Sequence, residues 1–232
     1  MSKTIEVVGV GTFTPGAAAL SVPVPSGIQR NDLLIILIMS ANQTISISSA
    51  GWTQIGDQTV QAVGTAGGAT GVRLGVYYKF AGATEGNVGV NDSGNINAAQ
   101  IIAFRYVNRA NPFIATSGGA QASAAAAPTL PAITTTIPNA LILFALANGR
   151  DLATPTNGSF TALTNANLNT ITETMDQTTA TQTGGGVAAW TAYAALTGNI
   201  GTSTTTKNGA WTEATAYLTI GLRPKARRFS VS

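Results

Sequence analysis

The chain has no cysteine and no histidine among its 232 residues. Disulfides, thiol nucleophiles, zinc sites built on those ligands and every Ser–His or Cys–His catalytic pair are thereby excluded. Charge is nearly as scarce. Only 9% of residues are Asp, Glu, Lys or Arg, against roughly 25% in an average soluble domain. The longest apolar run covers residues 33–39, far short of the ~20 residues a membrane-spanning helix needs. Residues 1–10 carry no apolar stretch of the signal-peptide kind. These two absences imply synthesis in a cytoplasm and no membrane partner.

What is present points to a packed β protein. Hydrophobic residues make up 44% of the chain and mean hydropathy is +0.22, too apolar for a disordered chain. At this size about 70% of the unfolded surface can be buried. The 26 glycines and abundant threonine favour turns and strands over helices. Net charge is +3, but four of the 12 basic residues are Arg223, Lys225, Arg227 and Arg228. The other eight face nine acids, so the body is near neutral. No basic stripe interleaved with aromatics appears, which argues against a nucleic-acid partner.

Residues 33–39 read as a strand buried on both faces. Residues 72–80 alternate, with Val72, Leu74, Val76 and Tyr78 on one side. Residues 98–107 read as a long strand, and 115–128, almost all Ala, Gly, Ser and Thr, as a linker. The order of features then repeats. Residues 31–38 align with 139–146 at an offset of 108, 71–78 with 186–193 at 115, and Phe104 with Tyr217 at 113. We read an internal duplication, with halves at about 17–109 and 125–222 joined near 110–130. Each half is too small to bury its own apolar face. The expectation is therefore one all-β, jelly-roll-like sandwich over residues 1–222, followed by a basic tail at 223–232.

Few motifs carry chemistry. Gly9-Val-Gly11 follows a strand, but Thr14 holds the third glycine position and no βαβ unit follows. There is no Gly-Lys dipeptide for a phosphate loop and no G-x-S-x-G elbow. The nine acids show no paired spacing, and most read as solvated turn residues. A hydrolase would need two of them facing each other across a cleft. The Asn-Asp-Ser-Gly-Asn run at 91–95 has calcium-type ligands without the D-x-D spacing. No catalytic residue, metal site or cofactor is assigned. Of the aromatics, Trp52 and Tyr217 match aromatics in the other half and read as core. Trp190 and Trp211 match Gly75 and Ala98, which leaves them as candidate glycan contacts. The tail residues Arg223, Lys225, Arg227, Arg228 and Phe229 are candidate interaction residues, an arm for a neighbouring subunit or an acidic surface.

Several segments carry a resemblance. They are Asn-Asp-Leu-Leu at 31–34, Ala-Gly-Trp-Thr at 50–53, the alternating strand at 73–79, and Ile-Ile-Ala-Phe-Arg-Tyr-Val-Asn at 101–108 running into Asn-Pro-Phe at 111–113. Pro-Ala-Ile-Thr-Thr-Thr at 131–136 and the closing strand at 216–224 add to them. Together they resemble β-sandwich virion proteins of tailed bacteriophages, of the head-decoration or minor-tail type. The resemblance implies a non-enzymatic virion component, often a homotrimer, whose partner is the major capsid protein or tail proteins. Capsid decoration (cement) is the first expectation. A tail, baseplate or fibre-type protein that binds a host-surface glycan is the alternative, and a carboxylate-dependent glycan hydrolase the second.

Overall fold

The structure is a computed structural model that describes residues 3–68, 70–122, 127–149, 159–179, 185–208 and 213–226. Among these residues there is no helix. The first half contains β1 (Glu6–Val10), β2 (Thr14–Gly16), β3 (Leu20–Val22), β4 (Leu33–Ser40), β5 (Thr53–Ile55), β6 (Ala62–Val63), β7 (Val72–Phe80), β8 (Val88–Val90) and β9 (Asn97–Arg105). The second contains β10 (Phe113–Gln121), β11 (Thr129–Leu130), β12 (Thr134–Thr135), β13 (Leu141–Asn148), β14 (Phe160–Thr164), β15 (Leu168–Thr179), β16 (Gly185–Ala194), β17 (Gly198–Asn199), β18 (Ser203–Lys207) and β19 (Thr215–Leu222).

The pairing is antiparallel and nested. In the first half β2 pairs with β9, β3 with β8 and β4 with β7. In the second, β10 pairs with β19, β11 with β18, β12 with β17 and β13 with β16. Nested pairs describe one long hairpin rolled over itself, which is jelly-roll connectivity. Each half yields a large sheet, in the orders β1-β9-β4-β7-β5 and β10-β19-β13-β16-β15.

These two large sheets pack face to face, with β4 against β13, β9 against β16 and β7 against β19. Leu33, Ile35 and Leu37 meet Leu141, Leu143 and Ile220 in this shared core. The expectation of a single two-sheet sandwich misses two further layers. Leu34, Ile36 and Ile38 point the other way and pack beneath β3 and β8. Ile142, Phe144 and Trp190 likewise pack beneath the β11-β18-β14 sheet. Each half therefore does bury an apolar face of its own. That explains the uninterrupted run Leu-Leu-Ile-Ile-Leu-Ile-Met in β4, every residue of which is buried. A strand covered on both faces has no polar alternation.

The ladders give a register in which the two halves can be compared. Asn31 and Asn139, 108 apart, both adopt positive φ (74° and 57°) just before β4 and β13. Leu33 pairs with Phe80 and Phe104, while Leu141 pairs with Tyr193 and Leu222. The offsets are thus 193 − 80 = 113 for the aromatic strands and 222 − 104 = 118 for the last strands. Read from residue identities alone, they are 115 and 113. In a chain this rich in Ala, Thr and Gly, identity carries little register information. Backbone pairing does.

Two boundaries also differ from expectation. The linker assigned near 110–130 contains β10, nine residues of strand completing the sheet on β19. Its small residues suit close pairing with β19. The first residues of the tail are tied to the first half. Pro224 bridges Val107, Lys225 N–H donates to the Tyr106 carbonyl at 2.7 Å, and Lys3 N–H donates to the Lys225 carbonyl at 3.4 Å. Proline lacks an N–H but is accepted at such a sheet edge.

Candidate functional site

β4 and β9 are antiparallel neighbours, so the turn entering β4 lies beside the turn leaving β9. The first supplies Arg30, Asn31 and Asp32, and the second Arg105, Tyr106 and Arg109. Lys225 arrives from beyond β19. Together they line a cleft of about 340 Å³.

Its floor is an ion pair. Asp32 is buried and accepts from Arg105 Nε at Oδ1 (3.0 Å) and from Arg105 Nη2 at Oδ2 (2.8 Å). Gln29 N–H donates to the same Oδ2 at 2.7 Å. The hydrogen bonds it donates to Asp32 hold the Arg105 guanidinium above its ordinary range. Arg105 is thereby fixed and neutralised. The rim differs. Arg30, Arg109 and Lys225 are exposed, and Asp32 is the only carboxylate among the lining residues. Arg109 Nη1 is held by Asn31 Oδ1 at 2.9 Å, a neutral partner that positions its charge without cancelling it. Lys3 Nζ sits 4.1 Å from the centre of the Tyr106 ring, a cation–π contact that adds a positive charge nearby.

The backbone here is strained. Asn31 and Tyr106 both have positive φ, 74° and 67°. Asparagine tolerates that region, whereas a bulky tyrosine does so only when its surroundings impose it. The Lys225 N–H bond to the Tyr106 carbonyl is one such restraint.

No family model, curated protein or solved structure matches the chain. Three cations without an ion-pair partner among the described residues rim the cleft and favour an anionic partner, and arginine forks suit carboxylates in particular. The sequence flagged Lys225 but missed Arg30, Arg105 and Arg109. The available signal was their placement at the start of one buried strand and the end of another.

Other assignments fall differently. Arg223 is half-buried and tied through its backbone to Asn108 and Pro112, and it does not line the cleft. Arg227, Arg228, Phe229 and Trp211 lie outside the described residues. Trp190 is 2% exposed and packs edge-on against Phe160, with ring centres 5.9 Å apart. It cannot stack on a sugar. The reason is the layer above it: the β11-β18-β14 sheet covers this face of β16. Trp52, read as core, is only half-buried.

A second groove, about 490 Å³, lies where edge strands β1 and β15 flank the two sheets. Glu6 and Glu173 both line it, an acid pair the sequence spacing did not reveal. Both are exposed, and neither accepts a hydrogen bond from another described residue. Nothing orients them as acid and base, which general acid–base chemistry requires. In the 91–95 turn, Asp92 Oδ1 accepts from Gly94 N–H at 2.7 Å, and Asn91 and Asn95 donate to Ser46 and Gly67. Those side chains hold the loop's own shape. Among the described residues no group of three or more acids gathers as a metal site.

Proposed function

We propose that the chain is a non-enzymatic structural component of a bacteriophage particle, a capsid decoration (cement) protein. It docks through the basic cleft on a carboxylate-rich surface of the major capsid protein and packs against its own copies as a trimer. The observation that carries this reading is the convergence of Arg30, Arg109 and Lys225 on one cleft of an otherwise charge-poor molecule. A surface of Thr, Ser, Ala and Gly supports it, because such a surface forms broad interfaces without burying unpaired charge. Jelly-roll units recur in viral capsid domains, but they also occur in lectins and enzymes. The fold alone therefore does not select the function. Binding only the assembled lattice would stabilise the particle by mass action. On this reading the protein is made in the host cytoplasm and resides in the virion.

Peptide mass spectrometry on purified particles, with heads and tails separated, tests the proposal. Many copies in the head fraction, approaching the number of capsomer junctions, are expected. A few copies confined to tails would replace decoration by a tail role. Absence from both would overturn the virion reading.

A further inference from the structure

Strands β1 and β15 are each paired on one side only, β1 with β9 and β15 with β16. The groove of about 490 Å³ between them is an open side of the sandwich. Most of its exposed lining is apolar, with Val7, Val10 and Tyr193 among four threonines. Val7 is 37% exposed, one of three large apolar side chains open to solvent among the described residues. Tyr193 is fixed in place, its hydroxyl donating to the Ile5 carbonyl at 2.6 Å. The charged lining residues are Glu6 and Glu173, and neither has an ion-pair partner among the described residues. An apolar groove with two open carboxylates suits a segment that carries both apolar side chains and cations.

The chain carries such a segment. Residues 227–232 read Arg-Arg-Phe-Ser-Val-Ser, without an acid. When such a segment is extended, Phe229 and Val231 share one face. Its point of departure is close. The Lys225 carbonyl accepts from Lys3 N–H, and Lys3 leads into β1. From Lys3 to Val10 is 10 − 3 = 7 residues, and from Lys225 to Ser232 is 232 − 225 = 7. Extended, each stretch spans about 23 Å, so the segment can track β1 along the whole groove. Arg227 and Arg228 then come level with Glu6, and Phe229 with Val7. We propose that residues 227–232 occupy this groove of their own chain. The arginines pair with Glu6 and Glu173, and Phe229 and Val231 cover Val7 and Val10. The basic cleft nearby repels the two arginines and leaves the acidic groove as their site. Tethering gives an effective concentration on the order of millimolar, which favours the chain's own segment over a neighbour's. The open side of the sandwich is closed in this way, as native sheets commonly cover their edges. No side chain of the basic cleft takes part, so this inference and the capsid reading can each fail alone.

A chain without cysteine accepts a single spin label through Ser230→Cys, on the face opposite Phe229 and Val231. In the tagged, isotope-labelled protein, NMR should show the amides of Val7, Val10, Thr172 and Glu173 broadened more than those of Asn31 and Arg109, which line the cleft beside Lys225. Dilution with an excess of untagged, unlabelled protein should leave that broadening unchanged. Glu6→Lys combined with Glu173→Lys, both at exposed positions, should reduce groove occupancy about threefold or more. Arg227→Glu combined with Arg228→Glu should do the same without touching either sheet. Equal broadening of groove and cleft overturns the proposal. So does undiminished groove broadening in both charge-reversed proteins. Broadening that is lost on dilution, and that appears in an untagged labelled chain mixed with a tagged one, would give the groove to a neighbour's segment and overturn placement within one chain.

Discussion

The two halves share a strand order and differ in what they do with an arginine. Arg105 ends β9, and at the offset of 118 Arg223 follows β19 in the same place. In the first half the residue after the positive-φ asparagine is Asp32, which grips Arg105 through two hydrogen bonds. In the second half that residue is Ala140, fully buried. Arg223 Nε is left buried with no hydrogen-bond partner among the described residues. One scaffold thus carries a satisfied ion pair in its first half and, in its second, an arginine whose Nε has no partner among the described residues. The first half builds its cleft on that pair, which anchors Arg105 and leaves only Arg30, Arg109 and Lys225 to face outward. A shared backbone does not create a site. The side chains at a few loop positions do.

The largest expected effect concerns the tryptophans. Trp190→Ala empties a closed outer core and should cost about 3–5 kcal/mol in urea unfolding. Trp52→Ala, at a half-open position, should cost about 1–2 kcal/mol. Equal losses would erase the distinction between the two sites. Next, Asp32→Ala should cost about 2 kcal/mol, because it strips partners from Arg105 and from the Gln29 N–H. Ala140→Asp asks the converse question. It should give Arg223 a partner and raise stability by up to about 1 kcal/mol. A loss of stability there would show that the two positions are not interchangeable.

Charge reversal at the cleft rim should leave the fold alone. Arg30→Glu combined with Arg109→Glu is expected to change stability by about 0.5 kcal/mol or less. Binding to purified heads should fall at least tenfold, and the residual binding should lose its salt dependence. The smallest effect is a pH limb. Burial pushes the Glu85 carboxyl up, but the Gly82 N–H and Lys79 outweigh it and hold the group below its ordinary range. Its ionised form is therefore favoured in the folded state. That contribution is complete above the unfolded value of about 4.3 and is lost as pH falls through the lower folded value. The difference in thermal midpoint between wild type and Glu85→Gln should accordingly shrink on acidification. A pH-independent difference would remove Glu85 from this account.

Some of this was legible early. The run at 33–39 showed a doubly covered strand because burial on both faces abolishes alternation, a purely local signature. The corresponding run at 141–148 carried the same mark. Trp190 was misplaced because alternation along β16 does not say what covers each face. The covering strands β14 and β18 lie elsewhere in the chain. Residues 115–128 read as a linker because Gly, Ala and Ser have weak strand preference, yet 113–121 form β10. Only the open edge of β19 makes them a strand.

The sequence by itself determined the all-β class, the buried strands, the charge-poor surface and the exclusion of thiol and imidazole chemistry. Each follows from composition or short-range periodicity, which need no partner to be read. Tertiary structure alone decided that Arg30, Arg109 and Lys225 share a cleft, that Glu6 and Glu173 share a groove, and that Trp52 is more accessible than Trp190. Antiparallel pairing and the stacking of two sheets bring together residues nearly two hundred positions apart, and no local pattern encodes that proximity.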